Sequence, residues 1–230
     1  MAGNELLVAV ATILCGAHLG CMAQNLSRTV GRGNSELHVS VGGPFFARLG
    51  PAIPVPHTHV GGRYGVTDWM DVDGSVNLLA LPYGLLALDA AVNVQLFRKP
   101  GGIAWASSAR IHTFGDLDDA PGVRAYPEIG LHVGTTLQRA RWLHVYGGSL
   151  AAFSLRAPTD KPTVFVSTFA GAEWLIGGAT SQHNRQHGVA FQAVWINPWN
   201  TSPSVLDYRP RYGAVALYLA YRLRFGGLRR

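Results

Sequence analysis

The sequence predicts an all-β fold: a closed antiparallel up-and-down transmembrane β-barrel of about ten strands, with eight as the alternative. Three observations carry this prediction. Apolar and polar residues alternate with period two along most of the chain, which sorts them onto opposite faces of a strand. The alternating segments run to roughly 11–16 residues, where a bilayer-crossing strand needs about 9–11 and a soluble strand usually has about 5–6. Aromatic residues gather towards segment ends, at Trp69, Trp105, Trp142, Trp174, Trp195, Trp199, Tyr212 and Phe225. Such ends are where an interfacial girdle lies.

Composition narrows the classes before any segment is read. The chain has 230 residues, 48% of them hydrophobic and 14% charged, which fits one large domain and excludes a disordered chain. Its 28 glycines have no three-residue period, so collagen is excluded. Two cysteines within the first 21 residues cannot build a disulfide framework. The net charge is +6, but the arginines are scattered instead of clustered, which argues against nucleic acid as a partner.

The N-terminal segment reads as a leader. Residues 6–14, LLVAVATIL, are apolar but too short to span a bilayer as a helix. Small residues follow, so residues 1–20 read as a signal peptide. Leu19-Gly20-Cys21 resembles the end of a lipobox, which makes Cys21 the candidate lipidation site; a cut after Ala23 is the alternative. Residues 21–35 then read as a linker, and Gly31-Arg32-Gly33 within it is no phosphate cradle.

From there the alternation accounts for each strand in turn. In 35–47, Leu37, Val39 and Val41 alternate with His38, Ser40 and Gly42. In 57–66, Val60 and Tyr64 oppose His59 and Arg63. In 68–78, Met70, Val72, Val76 and Leu78 oppose Asp71, Asp73, Ser75 and Asn77. The cleanest case is 85–98, where Leu86, Leu88, Ala90, Val92, Val94 and Leu96 share one face and Ala87, Asp89, Ala91, Asn93 and Gln95 the other. In 103–114, Arg110 and His112 oppose Trp105 and Ile111; in 123–138, Arg124, Glu128 and His132 oppose Ile129, Leu131 and Val133. Segments 141–155 and 162–176 alternate less cleanly. Residues 187–199 put Val189, Phe191, Ala193 and Trp195 on one side, and 212–226 set Val215, Leu217, Leu219, Tyr221 and Leu223 against Tyr218, Arg222 and Arg224. No intervening segment reads as a helix. Short and long connections roughly alternate; 80–83 is short where a long one is expected, and 177–186 long where a short one is.

Two stretches carry a resemblance. Gly62-Arg-Tyr-Gly-Val-Thr-Asp68-Trp-Met-Asp71 resembles the hairpin R-Y-G-[LV]-T-D-x-x-[DE] common in bacterial outer-membrane β-barrel proteins. The final Tyr218-Leu-Ala-Tyr-Arg-Leu-Arg-Phe225 is similar to the C-terminal strand that the barrel assembly machinery reads, with a tail at 227–230 after it. The resemblance implies a barrel over residues 36–226, an outer-membrane location in a Gram-negative bacterium, outer-membrane lipids as surroundings and that machinery as a partner during insertion. A lipid-anchored member of the family is among the readings. The resemblance implies no activity.

Chemistry is sparse. Glu36, His38 and Ser40 share a strand face in the order acid, base, hydroxyl, but small polar residues at a strand start are far commoner than a catalytic set. His57 and His59 share a face and suit a metal, yet no carboxylate or cysteine is near them in sequence. His183 and His187 have helical spacing inside a loop composition. The chain therefore reads as no enzyme, with no cofactor and no metal. The polar face is more informative. Its lumen-lining candidates are Arg63, Asp71, Asp73, Asp89, Arg110, Glu128, His132, Glu173, Arg222 and Arg224, with acids and bases nearly balanced. A charge in a narrow lumen must be paired or hydrated. The leading expectation is a structural or interaction barrel plugged by its own side chains. A narrow small-solute pore is the alternative. A lipid-modifying enzyme and a soluble secreted lipid-binding barrel, with its apolar face inside, are weaker readings.

Overall fold

The computed structural model describes residues 25, 27–44, 57–99, 102–117, 123–155, 163–176, 185–196, 198 and 214–226. Ten antiparallel strands close into one barrel: β1 (Ser35–Pro44), β2 (His57–Gly65), β3 (Met70–Asn77), β4 (Leu85–Arg98), β5 (Ile103–Asp116), β6 (Arg124–Thr136), β7 (Leu143–Phe153), β8 (Val164–Ile176), β9 (Arg185–Ile196) and β10 (Ala214–Phe225). Each strand pairs with its neighbours in sequence, and β1 closes onto β10 from Ser35 opposite Phe225 to Pro44 opposite Ala216. Ten strands is thus the count, not eight. Up-and-down order puts the start of β1, the end of β10 and the connections 66–69, 99–102 and 137–142 on one rim, here the proximal rim. The connections 78–84 and 154–163 belong to the opposite, distal rim.

One connection departs from expectation. The sequence reads no helix, but Leu78–Tyr83 forms a 3-10 helix between β3 and β4. The apolar run at Leu78-Leu79-Ala80-Leu81 hides it by continuing the strand pattern. Asn77 starts it by accepting a hydrogen bond from Leu79 N at 3.1 Å, and Gly84, at a φ of 71°, lets the chain leave in the left-handed region.

The barrel is inverted relative to a soluble one. Leu37, Val39, Val41, Leu88, Val92, Ile129, Leu131 and Leu219 all point outward and are exposed. The soluble barrel, with apolar residues inside, is thereby excluded. Every described tryptophan also faces outward. Trp69, Trp105, Trp142 and Trp174 sit at the proximal rim, and Trp195 near the distal one. Trp199 and Tyr212 lie outside the described residues. Inside, the filling is not polar throughout. Tyr146, Leu150, Phe165 and Phe169 point inward from β7 and β8 and are buried. That is why these two segments alternate poorly: both of their faces carry large apolar groups. A register shift at Gln95–Phe97 marks a bulge in β4, which leaves Leu96 and Phe97 both facing outward and sets Phe97 beside Trp105.

Candidate functional site

The period that turns apolar side chains out turns the charges in. All ten lumen-lining candidates named from the sequence lie on the inner face, and they form three connected groups. In the first, Arg63 on β2 stands opposite Asp73 on β3 and donates from Nε to Asp73 Oδ2 at 3.3 Å. Its Nε is also 3.8 Å from Asp71 Oδ1, and Arg110 on β5 reaches Asp73 Oδ1 at 3.9 Å. Asn93 on β4 donates to Asp71 at 2.8 Å.

The second group centres on His112, which the sequence placed on the polar face. Its Nδ1 lies 2.6 Å from Asp89 Oδ1, and its Nε2 lies 3.6 Å from Glu128 Oε2. The imidazole is thus held between two carboxylates from β4 and β6. Asp89 also accepts from Ser75 Oγ at 3.1 Å and faces His59 Nδ1 at 3.5 Å. Nearby, Ser108 Oγ is hydrogen-bonded to His132 Nε2 at 2.8 Å.

The third group collects cations on one acid. Glu173 on β8 meets Arg28 at 2.9 Å, Arg224 at 3.1 Å and Arg222 at 3.8 Å, and Arg224 also pairs with Glu36 across the β1–β10 seam. Each of the six carboxylates buried among the described residues, Glu36, Asp71, Asp73, Asp89, Glu128 and Glu173, therefore faces a cationic or imidazole partner. Pairing is what permits such charges out of bulk water. Arg124 keeps the inner-face parity, opposite Phe114, but at the distal end of β6, where it is exposed.

Arg28 reveals what the sequence did not. Part of the stretch read as a linker runs inside the barrel, across the proximal mouth. Gly33 N donates to Gly65 O at 2.8 Å, and Val30 N donates to Asp71 Oδ2 at 3.2 Å, both on the β2–β3 wall. Thr29 Oγ1 donates to Asp68 O at 2.8 Å. The chain then reaches the opposite wall. Ser27 is fully buried against His144 Nε2 at 3.1 Å, and Asn25 N donates to Gln192 Oε1 at 3.1 Å. These residues floor the lumen. A Cβ at Gly134 would collide with Ser27 Oγ, so that glycine makes the room. Gly31 and Gly33, with φ of 85° and 72°, turn the floor into β1, a conformation that favours glycine. Burial, with Arg224 beside it, pulls the Arg28 guanidinium down to about 10 against the opposing pull of Glu173.

The remaining candidates separate. Glu36, His38 and Ser40 all face inward, but Glu36 is taken by Arg224, His38 Nδ1 is 3.9 Å from Asp73, and Ser40 Oγ has no hydrogen-bond partner among the described residues. They form no relay. The rings of His57 and His59 are 6.3 Å apart, and His59 faces Asp89, a carboxylate the sequence placed 30 residues away. Among the described residues no cluster of three ligating side chains has metal-binding geometry. His187 lies on the outer face and pairs with the Tyr221 hydroxyl; His183 and Cys21 lie outside the described residues. A cavity of about 10 Å³ lined by His38, Ser40, Arg63, Ala220 and Arg222 has room for about one water.

Neither a protein-family model nor a curated protein matches the chain. Solved bacterial outer-membrane barrels do. The chain is similar to the NanC porin at 6% identity, over 83% of this chain and 100% of that one, with a TM-score of 0.40. It is similar to the N-terminal β-barrel domain of Pseudomonas aeruginosa OprF at 12% identity, over 85% and 99% of the two chains, with a TM-score of 0.33. A bacterial polysaccharide outer membrane secretin matches at 11% identity, over 84% and 98%, with a TM-score of 0.38.

Proposed function

We propose that this chain spans the outer membrane of a Gram-negative bacterium as a closed barrel. Its lumen is filled by its own side chains, so its role is structural or interactive, not that of an open channel. The observation that carries this reading is the inversion itself: large apolar side chains outside, paired charges inside. Length supports it. A strand rises about 3.3 Å per residue, so 11 residues tilted by about 40° cover roughly 28 Å along the barrel axis. That matches an apolar band of about 25 Å. Ten strands enclose little free space, while open aqueous channels appear at about 16 strands. Here the charged groups, the inward aromatics of β7 and β8 and the floor at 25–34 occupy that space. A non-catalytic role fits this filling, because the serine–histidine contacts of the described residues, Ser108 with His132 and Ser27 with His144, are buried within it.

Delivery belongs to the same proposal. Residues 1–20 act as the export signal, Cys21 receives the lipid, and the β10 strand is read by the barrel assembly machinery. Conductance tests the closed lumen. The full chain in planar bilayers should give no resolved single-channel steps in molar salt. Regular steps would replace this reading with the narrow small-solute pore.

A further inference from the structure

The proximal rim carries more than a girdle. On the arc from β4 to β8, Arg98 and Lys99 close β4, and Arg139 and Arg141 lie in the 137–142 turn. All four are exposed, and none has an ion-pair partner among the described residues. Each pair adjoins outward aromatics in the chain. Phe97, cross-strand neighbour of Trp105, immediately precedes Arg98 and Lys99 at the end of β4. Trp142 follows Arg141 in the chain, and its carbonyl accepts from Leu175 N at 2.7 Å, beside Trp174. The exposed acid of the neighbouring proximal turn, Asp68, is turned to the floor, where its Oδ1 accepts from Arg32 N at 3.3 Å. Among the described residues the distal rim shows a single exposed cation, Arg124.

We propose that this arc is a binding surface for anionic phospholipid headgroups of the leaflet at the proximal rim; the short turns of an outer-membrane barrel face the periplasm, so on the membrane reading the rim with turns 66–69 and 137–142 meets the inner leaflet. The proposal rests on that reading. The layering is what selects a lipid. Tryptophan and phenylalanine rings at the edge of an apolar band sit at headgroup depth. Cations one step further out then stand level with the phosphodiester. Two guanidiniums give forked hydrogen-bond donors that match phosphate oxygens. An acidic protein would have no need of aromatics set at lipid depth. Zwitterionic lipids carry their own cation at that level, so net-anionic headgroups are favoured. The bulge in β4 serves the same surface, because a regular register would point Phe97 into the lumen.

The tryptophans themselves report the test. The full chain is refolded into vesicles of phosphatidylcholine containing brominated phosphatidylglycerol or, in a parallel sample, brominated phosphatidylcholine, and tryptophan quenching gives the relative affinity. Wild type should prefer phosphatidylglycerol by about fivefold or more, the factor one interfacial cation supplies, and molar salt should erase the preference. The quadruple variant with Gln at 98, 99, 139 and 141 should quench equally with both lipids. The variant Arg139→Lys with Arg141→Lys should keep the preference, showing that charge and not misfolding is read. Equal quenching in wild type, or a preference that survives the quadruple change, overturns the proposal. Absence of quenching by either lipid overturns the membrane reading instead.

Discussion

Glu173 shows most directly how the interior is held. It is fully buried and stands against Arg28, Arg222 and Arg224. Glu173→Gln keeps the shape but leaves three guanidiniums around a neutral amide. Breaking a buried pair from one side costs about 3–5 kcal/mol. Arg28→Ala removes one partner of three and should cost clearly less; urea unfolding in vesicles ranks the two. On the other face, Val92→Arg sets a charge against hydrocarbon, at about 2–4 kcal/mol near the midplane, enough to impair folding into vesicles. A fluorophore on Val92→Cys should be quenched by a lipid-borne quencher. Asn93→Cys should resist a bulky thiol reagent, because Asn93 is buried and bonded to Asp71. Rapid labelling at 93 would contradict the filled lumen. At this scale the sequence is legible through parity. Asp89 and Asn93 are inner because Leu88 and Val92 are outer. Which acid meets which base was not legible: Arg110 reaches Asp73 across the intervening β4, and His112 reaches Glu128 diagonally through the β5–β6 register.

Elements differ in how far the sequence announces them. β4 is bounded at residues 85 and 98 as its alternation indicates. β7 and β8 blur because their inner faces hold Tyr146 and Phe169 among small residues. The floor leaves no periodic trace at all. Its residues are short, polar or glycine, and its partners are distant: Ser27 meets His144 across 117 positions and Asn25 meets Gln192 across 167. A segment fixed only by such contacts reads as a linker. Its removal is the natural test. The chain beginning at residue 32, refolded in detergent, should keep its β circular-dichroism spectrum and conduct more readily than the full chain. Unchanged closure would mean that side chains alone seal the lumen. The anchor has its own test: Cys21→Ser should abolish incorporation of labelled fatty acid and shift processing to the site after Ala23.

The whole molecule is a sheet without edges, closed where its first and last strands meet. Circular dichroism of the refolded chain should show strand throughout, and helix over more than a fifth of the chain would contradict it. That closure also sets an order of events. Glu36 on β1 and Glu173 on β8 are both satisfied by Arg224 on β10, and Arg28 must wait for β8. Until the final strand docks, Glu36 lacks its Arg224 partner and Glu173 has only Arg28 of its three cations, so water must serve in their place. Joining the two ends of the chain is the contact most separated in sequence, and such contacts form late and slowly. The last act of assembly is therefore a drying step: hydrated carboxylates and guanidiniums exchange water for one another as the seam zips. A barrel halted one strand short would be a trough open to water along its length, lined with unpaired charge.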